Sequence, residues 1–194
     1  MKRFMVSLLS MVLALGLLAG CVSQESAGSK SEGSDKKSGG DDKLTIAVVP
    51  KLVGIPYFNA SEKGAVKAGE ELGVEVIYTG PTEADAAQQV KVIEDLISQN
   101  VDVIAVAPND PASLTPVLKK AKEQGITVMD WDTPADQSVV ELSVHQIDDE
   151  GFGRHIAKSL IEQMGTEEGE IAILTGGLSA ANLNSWIDAA KKEL

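Results

Sequence analysis

Cysteine and basic residues are both scarce in this 194-residue chain. The single cysteine, Cys21, has no partner for an intrachain disulfide and no second thiolate for a metal site. Lysine and arginine number 17 against 29 aspartate and glutamate residues, which gives a net charge of −12. A chain this acidic is a poor match for nucleic acid or for an anionic membrane surface, whereas a small neutral or cationic ligand is compatible with it.

Signatures of common enzyme classes are also missing. The sequence has no GxSxG elbow, no Walker phosphate loop and no metal-ligand cluster, and the glycines at 151–153 and 176–177 are too sparse for a phosphate loop. Of the two histidines, His155 is predicted on a helix surface, and His145 follows the last strand of the sheet described below. Although such a sheet supports many chemistries, we expect no enzyme, no catalytic residue, no cofactor and no metal.

The first twenty residues have the pattern of a signal peptide. Lys2 and Arg3 form a short basic region, and the apolar run 5–18 is too short to span a bilayer comfortably. The sequence LAGC that ends at Cys21 resembles the lipobox of bacterial lipoproteins. The resemblance implies cleavage after residue 20 and acyl chains on Cys21 that hold the protein on the outer face of a membrane. The alternative is an ordinary secretory signal with an incidental cysteine.

Residues 21–42 are rich in serine, glycine and charge, and nearly free of apolar side chains. Such a segment cannot bury enough surface to fold. We therefore predict a flexible tether between the lipid anchor and a folded body. Its mixed charges indicate a solvated linker and not a binding tail.

Four apolar runs follow the tether, at 44–49, 74–78, 101–107 and 126–131, and a shorter one lies at 139–144. They are too continuous for strands with one wet face, so they indicate parallel strands covered on both sides. Apolar residues at helical spacing lie between them. The order βαβαβαβ with a fifth short strand predicts a doubly wound α/β domain.

Three helix starts have recognisable capping patterns. Asn59 with Glu62, and Thr82 with Asp85, have the spacing of a capping box. Asp110 precedes a proline at the expected first position of a third helix. We therefore predict helices that begin after Asn59, Thr82 and Asp110.

Polar and aromatic side chains follow the predicted strands, where ligands of such sheets bind. Six of them should share one rim, three polar and three aromatic: Lys51, Asn109, Asp132, Tyr57, Phe58 and Trp131. Rings offer a flat apolar face to the C–H side of a sugar, and amides and carboxylates bond its hydroxyls. The pattern therefore favours a pocket for a small polar molecule.

Each of these residues also has a simpler interpretation. Lys51 could be an exposed loop lysine, and Tyr57 and Phe58 could pack over the start of the first helix. Asp132 is explained poorly as a cap, because no clear helix begins directly after it. Trp186 lies at helical spacing with other apolar residues, which is typical of a core position.

The chain contains six short motifs: PKLVG at 50–54, YF at 57–58, YTGPT at 78–82, NDP at 109–111, WDT at 131–133 and NLNSW at 182–186. Together these motifs resemble the solute-binding proteins of ABC importers, and the resemblance covers residues 44–194. The sequence is most similar to the group containing rhamnose and autoinducer-2 receptors, and more distantly to ribose receptors. The family implies a monomer with two α/β lobes, here 43–145 and 146–194, that close on a monosaccharide and dock on a permease.

The resemblance also implies roles for single residues. Lys51 and Asp132 would bond ligand oxygens, while Tyr57 and Phe58 would stack on the sugar ring. From the second lobe Asn182 would reach into the cleft. The resemblance supports ligand contacts by Asn184 and Trp186, in the same motif, less strongly. The segment 143–147 would be the first crossing between the lobes.

Two departures from the family pattern affect these expectations. Autoinducer-2 receptors carry an Asp-Gln pair where this chain has Asn182-Leu183, and each buried partner left unpaired costs roughly 1–3 kcal/mol. The absence of the Asp-Gln pair favours a deoxyhexose or a pentose over autoinducer-2, which stays the alternative ligand. The second departure is length: residues 146–194 supply two helices and one strand, at Glu170–Leu174, so we expect a fragment of a longer protein or the product of a truncated gene.

Two related functions are alternatives to import. A sugar-responsive repressor would need a DNA-binding helix pair where this chain has a leader and a tether, so that function is rejected. A receptor that feeds a sensor kinase or a chemoreceptor stays open, because such partners would also bind the closed lobes from outside.

Overall fold

The computed structural model describes residues 43–194. The predicted signal peptide, the predicted lipidation site Cys21 and the predicted linker lie outside the described residues.

Five parallel strands form the sheet that was predicted. They are β1 (Thr45–Val49), β2 (Glu75–Tyr78), β3 (Val103–Val106), β4 (Thr127–Trp131) and β5 (Leu142–Val144). Their order across the sheet is β2-β1-β3-β4-β5, and every neighbouring pair is parallel. The strand order reverses between β1 and β3, which is the point where doubly wound sheets bind ligands. The predicted fold class is confirmed.

Within residues 43–194 five helices accompany the strands: α1 (Pro56–Leu72), α2 (Ala86–Ser98), α3 (Pro111–Glu123), α4 (Asp149–Met164) and α5 (Ala181–Glu193). Helices α2 and α3 lie side by side and bury apolar residues at helical spacing, including Ile93 and Leu118, against β1, β3 and β4. Helix α1 approaches β2 so closely at Gly69 that a side chain there would meet Val76.

Two of the three predicted helix starts are wrong. Helix α1 begins at Pro56, because a proline at the first position already has a helical φ. Asn59 therefore lies inside the first turn, where its N–H bonds to the Ile55 carbonyl at 2.9 Å. The cap of helix α2 lies three residues after Thr82: it is Asp85, whose Oδ1 accepts the Gln88 N–H at 2.7 Å.

The third start is confirmed. Asp110 caps α3 by accepting the Ser113 N–H at 3.0 Å, and Pro111 is the first helical residue. The cap, the proline and the bonded amide lie within four positions of the sequence, so no distant contact was needed to predict them.

Helices α4 and α5 pack against each other beyond the sheet. Gly153 allows the contact, since a side chain there would meet the Trp186 backbone and Ala189. At the other edge of this contact, the Arg154 guanidinium bonds Glu150 on its own helix at 2.8 Å and Glu193 at 2.9 Å. The pair is therefore held by close packing and by an exposed ionic contact.

The predicted strand at Glu170–Leu174 is wrong for the described residues, which have no regular structure there. Its apolar side chains are exposed, with Leu174 at 99%. The residues have strand-like alternation, but no neighbouring strand in the part of the chain described here provides hydrogen-bond partners, and an isolated strand is not stable. None of the helices within residues 43–194 is long and apolar enough to cross a bilayer.

Candidate functional site

Lys51 is the second residue after β1, and its side chain is buried. The Nζ donates to Asp132 Oδ2 at 2.6 Å, to Thr133 Oγ1 at 2.5 Å and to Asn182 Oδ1 at 3.0 Å. A lysine ammonium has three protons. All of its hydrogen-bonding capacity is therefore used within the protein, and its acceptors come from the end of β4 and from α5.

Asp132 receives four contacts. Its Oδ1 accepts the Tyr57 hydroxyl at 2.7 Å and Gln146 Nε2 at 3.1 Å, and its Oδ2 accepts Lys51 and Thr133 Oγ1 at 3.1 Å. A carboxylate offers about four lone-pair positions. Asp132 thus joins residues that follow β1, β4 and β5, and its charge is compensated by Lys51.

The backbone at Asp132 explains how its side chain reaches this point. Its φ is +63°, a left-handed conformation that aspartate adopts more readily than most residues. No helix follows it, as the sequence indicated. The loop is fixed from below by Asp130, a fully buried residue whose Oδ2 accepts the Ala135 N–H at 2.8 Å and Gln137 Nε2 at 2.9 Å.

Three aromatic rings lie in series beside the ion pair. Tyr57 and Phe58 meet edge to face at 5.0 Å, and Phe58 and Trp131 do so at 5.7 Å. Phe58 is buried and Tyr57 is half-exposed. The Trp131 indole N–H donates to the Ala105 carbonyl at 3.2 Å, so Trp131 supports Phe58 from behind.

The Tyr57 hydroxyl stays protonated far into the alkaline range. Burial raises the pKa of Tyr57, and the hydrogen bond to Asp132 and the charge of that carboxylate raise it further. The neutral hydroxyl is therefore a donor to Asp132 at every physiological pH.

Asn109 connects the ends of β3 and β1. Its Nδ2 donates to the Lys51 carbonyl at 2.7 Å, and its backbone N–H donates to Gln89 Oε1 at 2.9 Å. Its own carbonyl accepts the Ser179 hydroxyl at 3.2 Å. Asn109 thus contacts both the loop that carries Lys51 and the segment that precedes α5.

The opposite side of the site comes from α4, α5 and the segment between them. Asn182 is buried in the first turn of α5. Trp186 lies one turn further along, meets Phe152 edge to face at 4.8 Å, and donates its indole N–H to Asp149 Oδ1 at 2.5 Å. Trp186 is therefore not simply a core residue, since its ring also borders open space.

These groups line a cavity of about 530 Å³, a usual size for a small-molecule site. The polar lining residues lie at the ends of β1, β3 and β4 and on α5, and include Lys51, Asn109, Asp132 and Asn182. The apolar and aromatic lining residues include Leu52, Ile55, Tyr57, Phe58, Ile147, Phe152, Leu183 and Trp186.

Six of the eight predicted ligand-binding residues line this cavity, and two do not. Trp131 lies behind Phe58. Asn184 is exposed, and its Nδ2 donates to the Leu178 carbonyl at 3.0 Å. Within residues 43–194 there is no cluster of three side chains suited to hold a metal ion.

The sequence reasoning missed three polar residues of the site. Thr133 and Gln146 complete the hydrogen bonds of Lys51 and Asp132. Gln89 is fully buried on α2, where the neighbouring buried positions are apolar. A glutamine within an apolar stripe was the available signal, because a buried amide needs partners.

The chain resembles known proteins over most of its length. The periplasmic binding protein domain family matches residues 46–194. An ABC transporter solute-binding protein from Burkholderia graminis in complex with D-arabinose is 36% identical, with a TM-score of 0.73, over 80% of this chain and 53% of that one. Another from Clostridium phytofermentas with bound L-rhamnose is 31% identical, with a TM-score of 0.74, over 78% and 47%.

A third similar structure carries a different ligand. LsrB from Clostridium saccharobutylicum in complex with AI-2 is 30% identical, with a TM-score of 0.67, over 77% of this chain and 48% of that one. The chain spans about half the length of the curated relatives it matches.

Proposed function

Because the chain belongs to the periplasmic binding protein family, we propose that it serves an ABC importer as the solute-binding component. The family and its matched members are sugar-binding transport proteins that work outside the cytoplasm, and the prediction that the chain is not an enzyme is confirmed. The permease partner, the monomeric state and the division into lobes at residues 43–145 and 146–194 are part of the proposal.

The proposed ligand is a monosaccharide of the deoxyhexose or pentose class. The observation that carries this proposal is the mixed lining of the cavity, which includes both the Lys51–Asp132 pair and apolar side chains such as Leu183. A sugar ring has both kinds of surface, since hydroxyls take hydrogen bonds and C–H groups pack on aromatic and aliphatic side chains. The sugars held by the two similar structures named above belong to these classes.

Ligand binding on this site must exchange hydrogen bonds, because Lys51 and Asp132 have no free capacity. The longest contact of Lys51 is to Asn182 at 3.0 Å, and the longest contacts of Asp132 are from Gln146 and from its neighbour Thr133, both at 3.1 Å. Unlike Thr133, Asn182 and Gln146 come from segments beyond the β4–Asp132 loop, namely α5 and the chain after β5. We propose that sugar hydroxyls replace these two contacts and then bond Asn182 and Gln146 themselves.

The remaining predicted site residues have proposed roles that follow from their positions. Tyr57 and Phe58 would stack on the sugar or wall its ring, and Asn109 would offer its exposed edge to a hydroxyl. Trp131 would support Phe58 without touching the ligand.

AI-2 is the second candidate ligand, favoured by the 30% identity with a protein that binds it. Leu183 is the residue that argues against it here. It puts an aliphatic side chain into the cavity wall, where a ligand rich in hydroxyls would leave polar groups unpaired at about 1–3 kcal/mol each.

We also propose that Cys21 is acylated and that residues 21–42 tether the folded body to the outer face of a membrane. The support is the LAGC sequence at the end of an apolar leader. Lipid attachment would keep a binding protein close to its permease.

Calorimetric titration tests the proposed ligand class. Residues 22–194 would be titrated with L-rhamnose, D-arabinose and AI-2, with sucrose as a control for non-specific effects. We expect heat of binding with one of the two monosaccharides and none with sucrose. Tighter binding of AI-2 than of either sugar would establish the second candidate, and no binding of all three would overturn the proposal.

A further inference from the structure

Gln89 lies outside the cavity and touches the backbone of both loops that form its polar side. Its Nε2 donates to the Pro50 carbonyl at 3.1 Å and to the Ala107 carbonyl at 2.8 Å. Its Oε1 accepts the Asn109 N–H at 2.9 Å. The side chain is completely buried, and both amide protons are bonded.

These three backbone groups lie beyond the ends of β1 and β3. Val49 and Val106 are the last paired residues of the two strands, so no ladder hydrogen bond is available to Pro50 or Asn109 at this point. Gln89 therefore continues the connection between the strands past the end of the sheet, at the point where strand order reverses.

The connection extends from Gln89 to the ligand-binding groups in two short steps. Pro50 precedes Lys51, and Asn109 bonds the Lys51 carbonyl at 2.7 Å. The Asn109 carbonyl in turn accepts the Ser179 hydroxyl from the other side of the cleft at 3.2 Å. The position of Gln89 thus affects where the Lys51 ammonium lies and where Asn109 accepts the Ser179 hydroxyl.

If Gln89 served core packing alone, an apolar side chain would fill the position better. The adjacent buried positions of α2, Ile93 and Leu96, are aliphatic and pack in the core, and burying an amide costs free energy unless every bond is made. A buried glutamine at this place is explained by the three loop groups that it aligns.

We propose that Gln89 is a positioning residue for the sugar site, which sets the spacing of the Lys51 and Asn109 loops and thereby the affinity for the ligand. This inference rests on the proposed function, because it specifies how that same site is held. Preorganised binding groups need such support, since a site that is loose by about 1 Å loses much of its affinity.

The test compares Gln89→Met with Ile93→Ala in residues 22–194. Methionine has the length of glutamine but none of its hydrogen bonds, and Ile93→Ala lowers stability from the same helix without touching either loop. Both variants would be titrated with L-rhamnose and D-arabinose at a temperature where unfolding curves show each to be folded. We expect affinity to fall at least tenfold in Gln89→Met and less than twofold in Ile93→Ala. Equal affinities in the two variants would overturn the inference.

A second measurement does not depend on the ligand. Hydrogen exchange of the Asn109 backbone amide, followed by NMR, should be at least tenfold faster in Gln89→Met than in Ile93→Ala, because the acceptor of that N–H is gone. Unchanged exchange would overturn the positioning role even if sugars bind. If neither sugar binds the unmodified chain, the proposed ligand class fails, and this exchange measurement alone decides whether Gln89 holds the loops.

Discussion

Lys51 and Asn182 lie 131 positions apart in the sequence, and the Lys51 Nζ donates to Asn182 Oδ1 at 3.0 Å. The second residue after β1 is thereby joined to the first turn of α5. Both residues line the cavity, so a ligand that contacts them must lie against this bond or replace it. Together with the bond from Ser179 to Asn109, it holds the α5 side of the site against the sheet.

The buried ion pair should make Lys51 important for stability. Lys51→Met leaves the Asp132 carboxylate buried without its cation, a loss that costs about 3–5 kcal/mol. We expect the free energy of unfolding in urea to fall by that amount. Lys67→Met is the matched control, because its pair with Glu71 is exposed and such pairs contribute about 0–1 kcal/mol.

A double variant separates the interaction energy of the Lys51–Asp132 pair from the contributions of the other neighbours of each residue. Lys51→Met with Asp132→Asn removes both charges, so its destabilisation should be smaller than the sum for the two single variants. Strictly additive losses, or a Lys51→Met variant as stable as Lys67→Met, would contradict a compensated ion pair at this position.

Asp132 is expected to be the main determinant of sugar affinity. Asp132→Asn keeps the shape of the side chain but replaces a charged acceptor by a neutral one, and hydrogen bonds to charged groups contribute about 1.5–3 kcal/mol. Calorimetry with the sugar that binds should show affinity lowered at least tenfold. The control is Asp95→Asn, an exposed carboxylate on α2, which should bind as the unmodified chain does. Similar affinities in both variants would exclude Asp132 as a contact.

The convergence of Lys51, Asn109 and Asp132 could be predicted from the sequence. Parallel strands bring their carboxyl ends to one edge, so residues that follow separate strands must meet there. The cap at Asp110 was predictable for a related reason, because its partner lies three residues away. Both inferences need only local sequence and the direction of the strands.

Features that depend on distant partners could not be predicted. The alternation at Glu170–Leu174 is that of a strand, but a strand also needs a neighbour, which sequence periodicity does not report. Likewise, the Gln89 amide bonds Pro50 and Ala107, which lie on other loops. The saturation of Lys51 and Asp132 by protein groups becomes visible only when all their neighbours are known.

Alkaline titration should reveal the environment of the two tyrosines, which are the only ones in the chain. Burial raises the pKa of Tyr78 to about 12, with the Glu62 charge acting in the same direction, and the pKa of Tyr57 is raised as well. Tyrosinate absorbance of the folded protein should therefore stay low near pH 10, where tyrosine ordinarily ionises. Unfolded protein in denaturant should titrate normally.

The raised pKa values of the two tyrosines also predict how the free energy of unfolding changes with pH. Above about pH 10 the unfolded chain loses tyrosine protons that the native protein retains, so the free energy of unfolding should fall as pH rises from about 10 to 12. Below that range the contribution is fully present. Tyr57→Phe leaves Tyr78 as the only tyrosine, and its titration should then show a single step. A midpoint near 10 in folded Tyr57→Phe would contradict the burial of the Tyr78 hydroxyl.

Lipid attachment is tested by labelling cells with a radioactive fatty acid. The full chain, expressed in a bacterium that processes lipoproteins, should incorporate label, and Cys21→Ala should not, because no other cysteine is present. The variant should also be recovered in the soluble fraction. Label in Cys21→Ala, or secretion of an unlabelled parent chain, would favour the ordinary secretory signal.

Ligand binding should change the fluorescence of one tryptophan and leave the other nearly unaffected. The chain has two: Trp186 lines the cavity, whereas Trp131 lies behind Phe58 with its indole N–H bonded to a strand carbonyl. A sugar that enters the cavity removes water from the Trp186 ring, so the emission of the protein should shift to shorter wavelength on titration. Trp131→Phe should keep this shift and Trp186→Phe should lose it, provided that calorimetry shows that both variants still bind. A shift that persists in Trp186→Phe would mean that the ligand binds elsewhere, since Trp131 is shielded from the cavity by Phe58.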